Sequence, residues 1–390
     1  MLHLLPVRFF CAALLYMLAG VFAGAADALG AVSLRAVHTH LLAGAFFTLV
    51  IMGAMYQLLP TIIGARLHSR RLAELQFVLV NAGFILLFYA FLSNTSALLI
   101  AGAVLLVSFI MFAIEIFATA LSVPEFYRRS IAIWFFLVAV IYLLAGSAYA
   151  IAGIAGVVGF SPMLHAHLLT LGFVAFTNFG GLYELFPMLS LRQLHSRRLA
   201  EVHFVLAVLS ATGMFLSSGS GMLFIASSAL FLAGFYLFAY NLARTYFSKP
   251  PGQQVEMDIS ARFMAYALAF GVAGVTAGFT TALFGFPGSF THVHLVLAGW
   301  VGLTIVGALY HIIPMLTWLE KHSSKVGQPG APLIQDLYSK PLAKALLILM
   351  NLGFAGFAFS SIFEPLALLA PLLAVAFLLF AMEMFIVLRR

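Results

Sequence analysis

Long apolar segments alternate with short polar connections along the whole chain. A helix needs about 20 apolar residues to cross a bilayer. Twelve segments meet that length, at about residues 7–27, 36–60, 72–93, 97–121, 131–157, 163–188, 199–218, 221–243, 262–284, 290–316, 342–362 and 365–388. The pattern therefore predicts an all-α integral membrane protein with 12 transmembrane helices, folded as a single membrane domain over residues 1–390.

Polar positions repeat within this apolar background. The stretches at residues 38–60, 165–187 and 292–314 each begin with His-x-His and end with Gly-x-x-Tyr-x-x-x-Pro, at a constant step of 127 residues. Such self-similarity indicates an internal repeat. We therefore expect three four-helix repeats with pseudo-three-fold symmetry about the membrane normal. Their approximate bounds are 1–127, 128–254 and 255–390.

Composition narrows the class of protein. Hydrophobic residues make up 64% of the chain and charged residues 8%, whereas soluble domains carry roughly 25% charged residues. The bilayer is therefore the first expected partner. The single cysteine, Cys11, excludes a disulfide framework, a thiolate zinc site, an iron–sulfur cluster and a Cys-x-x-Cys-His haem attachment.

The distribution of positive charge predicts topology. The net charge is +7, and 18 of the 19 Lys and Arg residues lie in alternate connections or near the two ends of the chain. The exception is Arg35. By the positive-inside rule, both termini are cytoplasmic. This pattern argues against a nucleic-acid partner and predicts a multi-pass protein of a bacterial or archaeal cytoplasmic membrane, with the His-x-His motifs near the outer face.

The six motif histidines are the strongest candidates for chemistry. Residues i and i+2 of a helix point about 200° apart, so the histidines of one motif face different neighbours. Three such helices around an axis give up to three sites, each lined by histidines from two repeats. Histidine is a common axial ligand of haem iron. Structural histidines that hydrogen-bond across helices, or a copper or zinc site, are the alternatives. The six residues are His38, His40, His165, His167, His292 and His294.

Other polar residues lie inside the apolar segments. Glu115, Asn241 and Glu383 occupy similar places in the fourth helix of each predicted repeat. Intramembrane carboxylates are candidates for function, so these residues could serve either helix–helix hydrogen bonding or proton transfer. His203 could be a buried, hydrogen-bonded residue or could lie near a quinone.

The third motif resembles helix ten of the catalytic subunit of haem–copper oxidases, most closely C-type cytochrome oxidases and nitric oxide reductases. It combines Thr291-His292-Val293-His294 with Gly299-Trp300 and Gly307-x-x-Tyr310-His311-x-x-Pro314. The resemblance implies a high-spin haem on His292 and a low-spin haem on His294. The sequence Arg35-x-x-His38-Thr39 resembles the second helix, which implies that His38 is the other low-spin ligand. The second motif resembles the sixth helix, with His167 at the position that binds active-site copper or non-haem iron.

Departures from this resemblance change the expected function. Residues 211–220 contain no histidine and no tyrosine, where the family's seventh helix completes the copper site. Ser360 and Ser361 replace the paired arginines that bind haem propionates. Copper and an oxygen-reducing centre are therefore not expected. His40 and His165 are additional to the family's ligands.

The resemblance to haem–copper oxidases pairs His38 with His294 as axial ligands. Applied to the three-fold repeat, it also predicts the pairs His292 with His167 and His165 with His40. We expect three haem b groups, each held by two histidines, with Arg35 as a propionate partner. Six-coordinate iron favours electron transfer, from or to a quinol or a periplasmic cytochrome. The alternatives are a gas (O2 or NO) reductase with a modified active site, an NnrS-like haem and metal protein of nitric oxide stress, and a transporter without haem.

Overall fold

Twelve apolar helices cross the molecule, as predicted. The computed structural model describes residues 4–93, 97–217, 220–248, 257–285, 288–326, 328 and 330–390. The predicted repeat boundary at 254–255, the start of the first repeat and residue 218 at the predicted end of the seventh helix lie outside these ranges. Within them no residue forms a β-strand, and the twelve helices are long and apolar enough to span a membrane. The chain is therefore an all-α, multi-pass membrane protein.

The helices are numbered α1 to α12 in chain order. Their bounds are Leu5–Ala28, Arg35–Ile63, Arg70–Ser93, Leu98–Leu121, Ile131–Ile154, Pro162–Leu189, Arg197–Leu216, Gly221–Phe247, Ile259–Phe284, Ser289–Lys321, Lys340–Phe357 and Glu364–Arg389. Short 3-10 helices lie in the connections at Phe126–Arg128, Ser323–Lys325 and Ile334–Asp336.

Polar side chains begin several of these helices. The hydroxyls of Ser130, Ser161, Ser196 and Ser339 accept hydrogen bonds from backbone N–H groups in the first turn of α5, α6, α7 and α11. Asp258 does the same for α9. Such caps satisfy donors that have no partner within the helix, which is important in a bilayer because water cannot replace them.

Three helices form the centre of the bundle. Within an 18-residue apolar window of each helix, the share of buried residues is 67% in α2, 72% in α6 and 72% in α10, and it does not exceed 56% in the other described helices. These three helices carry the His-x-His motifs. The others surround them, and α12 packs against α1 so that the two ends of the chain meet.

Glycine allows each central helix to approach the helix before it. A Cβ atom added to Gly53 or Gly307 would lie 2.9 Å from the Cβ of Phe9 or Phe263, and one added to Gly180 would lie 2.7 Å from Cε1 of Phe136. No side chain fits at such distances without displacing its neighbour. The three contacts recur at the same step of 127 residues as the motifs.

Candidate functional site

All six motif histidines lie at one end of the bundle, which we call the histidine end. His38, His165 and His292 are each the fourth residue of their helix, in α2, α6 and α10. The second histidine of each motif follows two residues later. All six side chains are half-buried, as expected for groups that line clefts between helices near the edge of the apolar core.

The first histidine of each motif points to the preceding helix. Its Nδ1 atom contacts a backbone carbonyl there, as His38 with Gly20 (2.8 Å), His292 with Gly274 (2.8 Å) and His165 with Gly146 (3.4 Å). Glycine also allows close packing of the ring in two copies. A Cβ atom at Gly24 or Gly278 would lie 2.4 or 2.5 Å from Cε1 of the imidazole.

The second histidine of each motif contacts its own helix. Its Nδ1 atom lies beside the carbonyl four residues earlier, as His40 with Ala36 (2.8 Å), His167 with Met163 (2.8 Å) and His294 with Phe290 (2.9 Å). Two of these rings also face aromatic side chains of a different helix. The ring centroid of His40 lies 4.7 Å from that of Phe91 in α3, and that of His294 lies 5.1 Å from that of Phe357 in α11.

These contacts fix the chemistry of the imidazoles. A carbonyl oxygen only accepts hydrogen bonds, so Nδ1 carries the hydrogen and Nε2 keeps its lone pair in the neutral ring. No hydrogen bond joins Nε2 of any of the six to another described residue. Metal-binding histidines have this arrangement, in which the second nitrogen bonds to a carbonyl and orients the ring.

The histidines approach one another in twos, across different helices. His294 is close enough to His38 to interact electrostatically, His292 to His167, and His165 to His40. The rings of His40 and His165 have centroids 6.4 Å apart and planes 20° apart. Two imidazoles on opposite sides of one metal, at a metal–nitrogen distance of about 2.0–2.1 Å, have centroids about 6 Å apart. The centroid separation of this pair is therefore close to that of two histidines bound to one metal.

A stretch of π-helix follows each motif, a feature that the sequence reasoning missed. The stretches are His40–Phe46, Leu168–Ala175 and His294–Gly302. π-Helical turns are rare and occur frequently at functional sites. A glycine within each stretch is the only sequence signal, and it is too common in membrane helices to have predicted the geometry.

Arg35 lies at the first position of α2, three residues before His38. Its side chain is exposed, and no hydrogen bond or ion pair joins it to the other described residues. The nearby Asp27 instead accepts a hydrogen bond from the backbone N–H of Leu34. Arg35 is thus a free cation on the same end of the bundle as the histidines. Its role as a propionate partner stays a prediction.

The part of α7 that corresponds to the copper-binding region of haem–copper oxidases contains a methionine and no histidine. Met214 and Phe215 of α7 line a small cavity together with His167 and Met163. Residues 218 and 219 of this region lie outside the described ranges. Among the residues that are described, no group of three or more His, Cys, Asp or Glu side chains is placed to hold a metal ion.

Three matched polar residues at the opposite end, which we call the basic end, bond to neighbouring helices. Glu115, Asn241 and Glu383 each accept a hydrogen bond from the backbone N–H of the serine at the start of the preceding helix, at 2.7, 3.0 and 2.7 Å. Helix–helix hydrogen bonding, one of their two predicted roles, is therefore observed. His203 is fully buried, and its Nδ1 lies 3.1 Å from the hydroxyl of Tyr183, so the expected buried, hydrogen-bonded histidine is also observed.

Comparisons with known proteins agree with this architecture. No protein-family model matches the chain. The chain is 27% identical over 332 residues to an uncharacterised protein of Aquifex aeolicus (strain VF5), covering 82% of each chain. A chain in the cryo-EM structure of a haem–copper terminal oxidase dimer is similar over 100% of this chain and 82% of its own length, with a TM-score of 0.69 and 13% identity. The protein therefore has a twelve-helix membrane fold similar to that of a haem–copper terminal oxidase chain.

Proposed function

We propose that this protein is a membrane b-type cytochrome that binds up to three haem b groups and transfers electrons. The observation that carries the proposal is the set of six imidazoles at the histidine end. Each has Nδ1 on a backbone carbonyl and no partner for Nε2 among the described residues. Each also lies near one imidazole of another helix. The similar fold of a haem–copper terminal oxidase supports haem as the ligand.

Each proposed site is shared between two of three four-helix repeats. The axial pairs are His38 with His294, His292 with His167, and His165 with His40. Haem iron, when bound, supplies a one-electron couple between its ferrous and ferric states. While both histidines of a pair stay bound to the iron, no position remains for oxygen or nitric oxide, and this favours electron transfer over gas reduction.

The surrounding residues have distinct tasks in this proposal. The carbonyls that bond Nδ1 fix each ring orientation and raise the basicity of Nε2. Aromatic rings such as Phe91 and Phe357 cover the histidines and limit water. Arg35 supplies the charge for a haem propionate. Because the basic residues cluster at the other end, the positive-inside rule places these sites near the outer face, with both termini cytoplasmic.

The electron partner must reach the histidine end. A quinol within the bilayer and a periplasmic cytochrome are the two proposed classes of donor or acceptor. Either would exchange single electrons with the nearest haem. The proposed location is the cytoplasmic membrane of a bacterium or archaeon.

One observation favours a second candidate, a haem and copper protein related to gas reductases or to NnrS. Met163 and Met214 line the same small cavity as His167. Thioether sulfur prefers Cu(I). In that case His167 would bind copper, and His292 would hold a five-coordinate, high-spin haem.

Haem content and spin state test the proposal. We expect the pyridine haemochrome assay of the purified protein to give three haem b per chain, and electron paramagnetic resonance of the oxidised protein to show low-spin iron only. One haem per chain would refute the proposal. A high-spin signal together with stoichiometric copper would favour the second candidate. A Met214→Leu variant serves as the matched control, because it removes a soft ligand and leaves every histidine in place.

A further inference from the structure

The three copies of the first histidine are not held equally well. We propose that His165 is a displaceable ligand, and that the site it shares with His40 binds a neutral diatomic ligand such as carbon monoxide or nitric oxide. This inference rests on the proposed haem sites. It concerns a pair of histidines that is additional to the ligands implied by the haem–copper oxidase resemblance.

The first and third copies define the well-held state. His38 and His292 both place Nδ1 2.8 Å from a carbonyl of the preceding helix. Both rings also lie directly on that helix, because Gly24 and Gly278 have no side chain to exclude them. Each ring is therefore fixed by a hydrogen bond at one edge and by backbone contact beside Cε1.

The second copy lacks both constraints. Nδ1 of His165 lies 3.4 Å from the carbonyl of Gly146, at the long limit of a hydrogen bond. Ile151 occupies the position that corresponds to Gly24 and Gly278 at the repeat step. In the other copies even one Cβ atom at this position would overlap the ring. His165 therefore cannot pack directly on the preceding helix as His38 and His292 do, a position that we call the imidazole seat.

Ile151 is itself held in place by its packing against another helix. A Cβ atom added to Gly102 of α4 would lie 3.0 Å from Cγ1 of Ile151. The side chain is therefore packed close to α4. The loss of the His165 seat is a property of the packing between α4 and α5, not of one mobile side chain.

One side of His165 borders an exposed connection. The connection at residues 155–160 between α5 and α6 is exposed throughout. The ring of Phe160 lies 5.9 Å from that of His165, centroid to centroid. A rotation of His165 towards this connection would open its axial position without moving a buried helix.

In the proposed ligand exchange, one bond to iron breaks and one bond to iron forms. The bond between iron and Nε2 of His165 breaks, and a bond between ferrous iron and the diatomic ligand forms. No electron or proton moves, and Nδ1 keeps its hydrogen. Loss of the partner that orients a ligating histidine typically weakens metal binding 10- to 100-fold, so we expect the His165 bond to yield before those of His38 and His292.

Carbon monoxide titration of the dithionite-reduced protein, followed by its absorption difference spectrum, tests the proposal. We expect one carbon monoxide per chain. Ile151→Gly restores the seat seen in the other copies, and it should weaken that binding about 10-fold or more. Gly278→Ala introduces the clash into the third copy and should create a second binding site.

His165→Ala assigns the site. It should either keep one carbon monoxide per chain with tighter binding or lose one haem and the carbon monoxide together. Three low-spin haems without any carbon monoxide binding would overturn this inference and leave the proposed function intact. So would unchanged binding in both Ile151→Gly and His165→Ala. Absence of haem would instead refute the proposed function, and this inference with it.

Discussion

The two ends of the helix bundle treat buried histidine differently. At the basic end, His203 is surrounded by the rings of Phe135, Phe179 and Phe238, and its Nδ1 bonds to Tyr183. At the histidine end, His292 is only half-buried, and its Nδ1 bonds to a backbone carbonyl instead of a side chain. The residue type is the same, and both lie in apolar surroundings.

The different partners of these histidines distinguish residues that hold helices together from residues proposed to bind a ligand. A polar group in an apolar environment costs free energy unless it finds a partner. At the basic end, Glu115, Asn241 and Glu383 accept hydrogen bonds from helix starts and His203 bonds to a side chain, so these groups hold helices together. At the histidine end, six half-buried imidazoles repeat one arrangement, in which Nδ1 bonds to a backbone carbonyl. The proposed function rests on this repetition.

The largest expected effect comes from exchanging one histidine at each end. His292→Ala removes half of an axial pair, and we expect haem content to fall from three to two per chain in the pyridine haemochrome assay. His203→Gln is the matched control, because Gln76 bonds to Tyr56 in the corresponding position of the first copy. It should retain three haems. Equal haem loss in both variants would erase the distinction between the two ends.

An intermediate effect is expected from Glu383. Its carboxylate accepts hydrogen bonds from the Tyr310 hydroxyl (2.6 Å) and the Ser339 N–H (2.7 Å). Glu383→Leu leaves the buried Tyr310 hydroxyl unsatisfied, at about 1–3 kcal/mol, and removes the partner of the more exposed Ser339 N–H. We expect a lower unfolding temperature in detergent and unchanged haem content in the folded fraction. Glu383→Gln keeps an acceptor and should lose less. A loss of haem without a change in unfolding temperature would contradict the supporting role.

The smallest effect concerns Arg35. An exposed charge pair is worth about 0.2–1 kcal/mol, so Arg35→Gln should lower the midpoint potential of one haem by a few tens of millivolts in a redox titration. The positive charge favours the reduced state, and its removal favours the oxidised state. Arg35→Lys keeps the charge and should shift the potential less. Identical titrations for all three proteins would exclude Arg35 as a propionate partner.

The sequence predicted the helices well because the bilayer imposes a simple length rule. The motifs could be located for the same reason, since a histidine stands out in an apolar segment. Local geometry was less accessible. The predicted segments end at residues 60, 188 and 316, whereas α2 and α10 continue past Pro60 and Pro314 to Ile63 and Lys321. A proline lacks one donor, but the bundle tolerates this so near the end of a helix.

The contacts of Nδ1 could not be predicted either. His38 reaches a carbonyl 18 residues earlier in the chain, and the choice of that carbonyl depends on how closely two helices pack. The different seat of His165 has the same origin. Ile151 is an ordinary residue in an apolar helix. Its effect on His165 becomes clear only from the structure, which shows His38 and His292 packed on Gly24 and Gly278 at the corresponding positions.

Haem counts in two double variants test the central claim that each site is shared between repeats. His38→Ala with His294→Ala removes both ligands of one predicted site, so two haems per chain should remain. His38→Ala with His40→Ala removes one ligand from each of two sites, so one haem should remain. The opposite result, with one haem in the first variant and two in the second, would show that each motif forms a site of its own and would contradict the account.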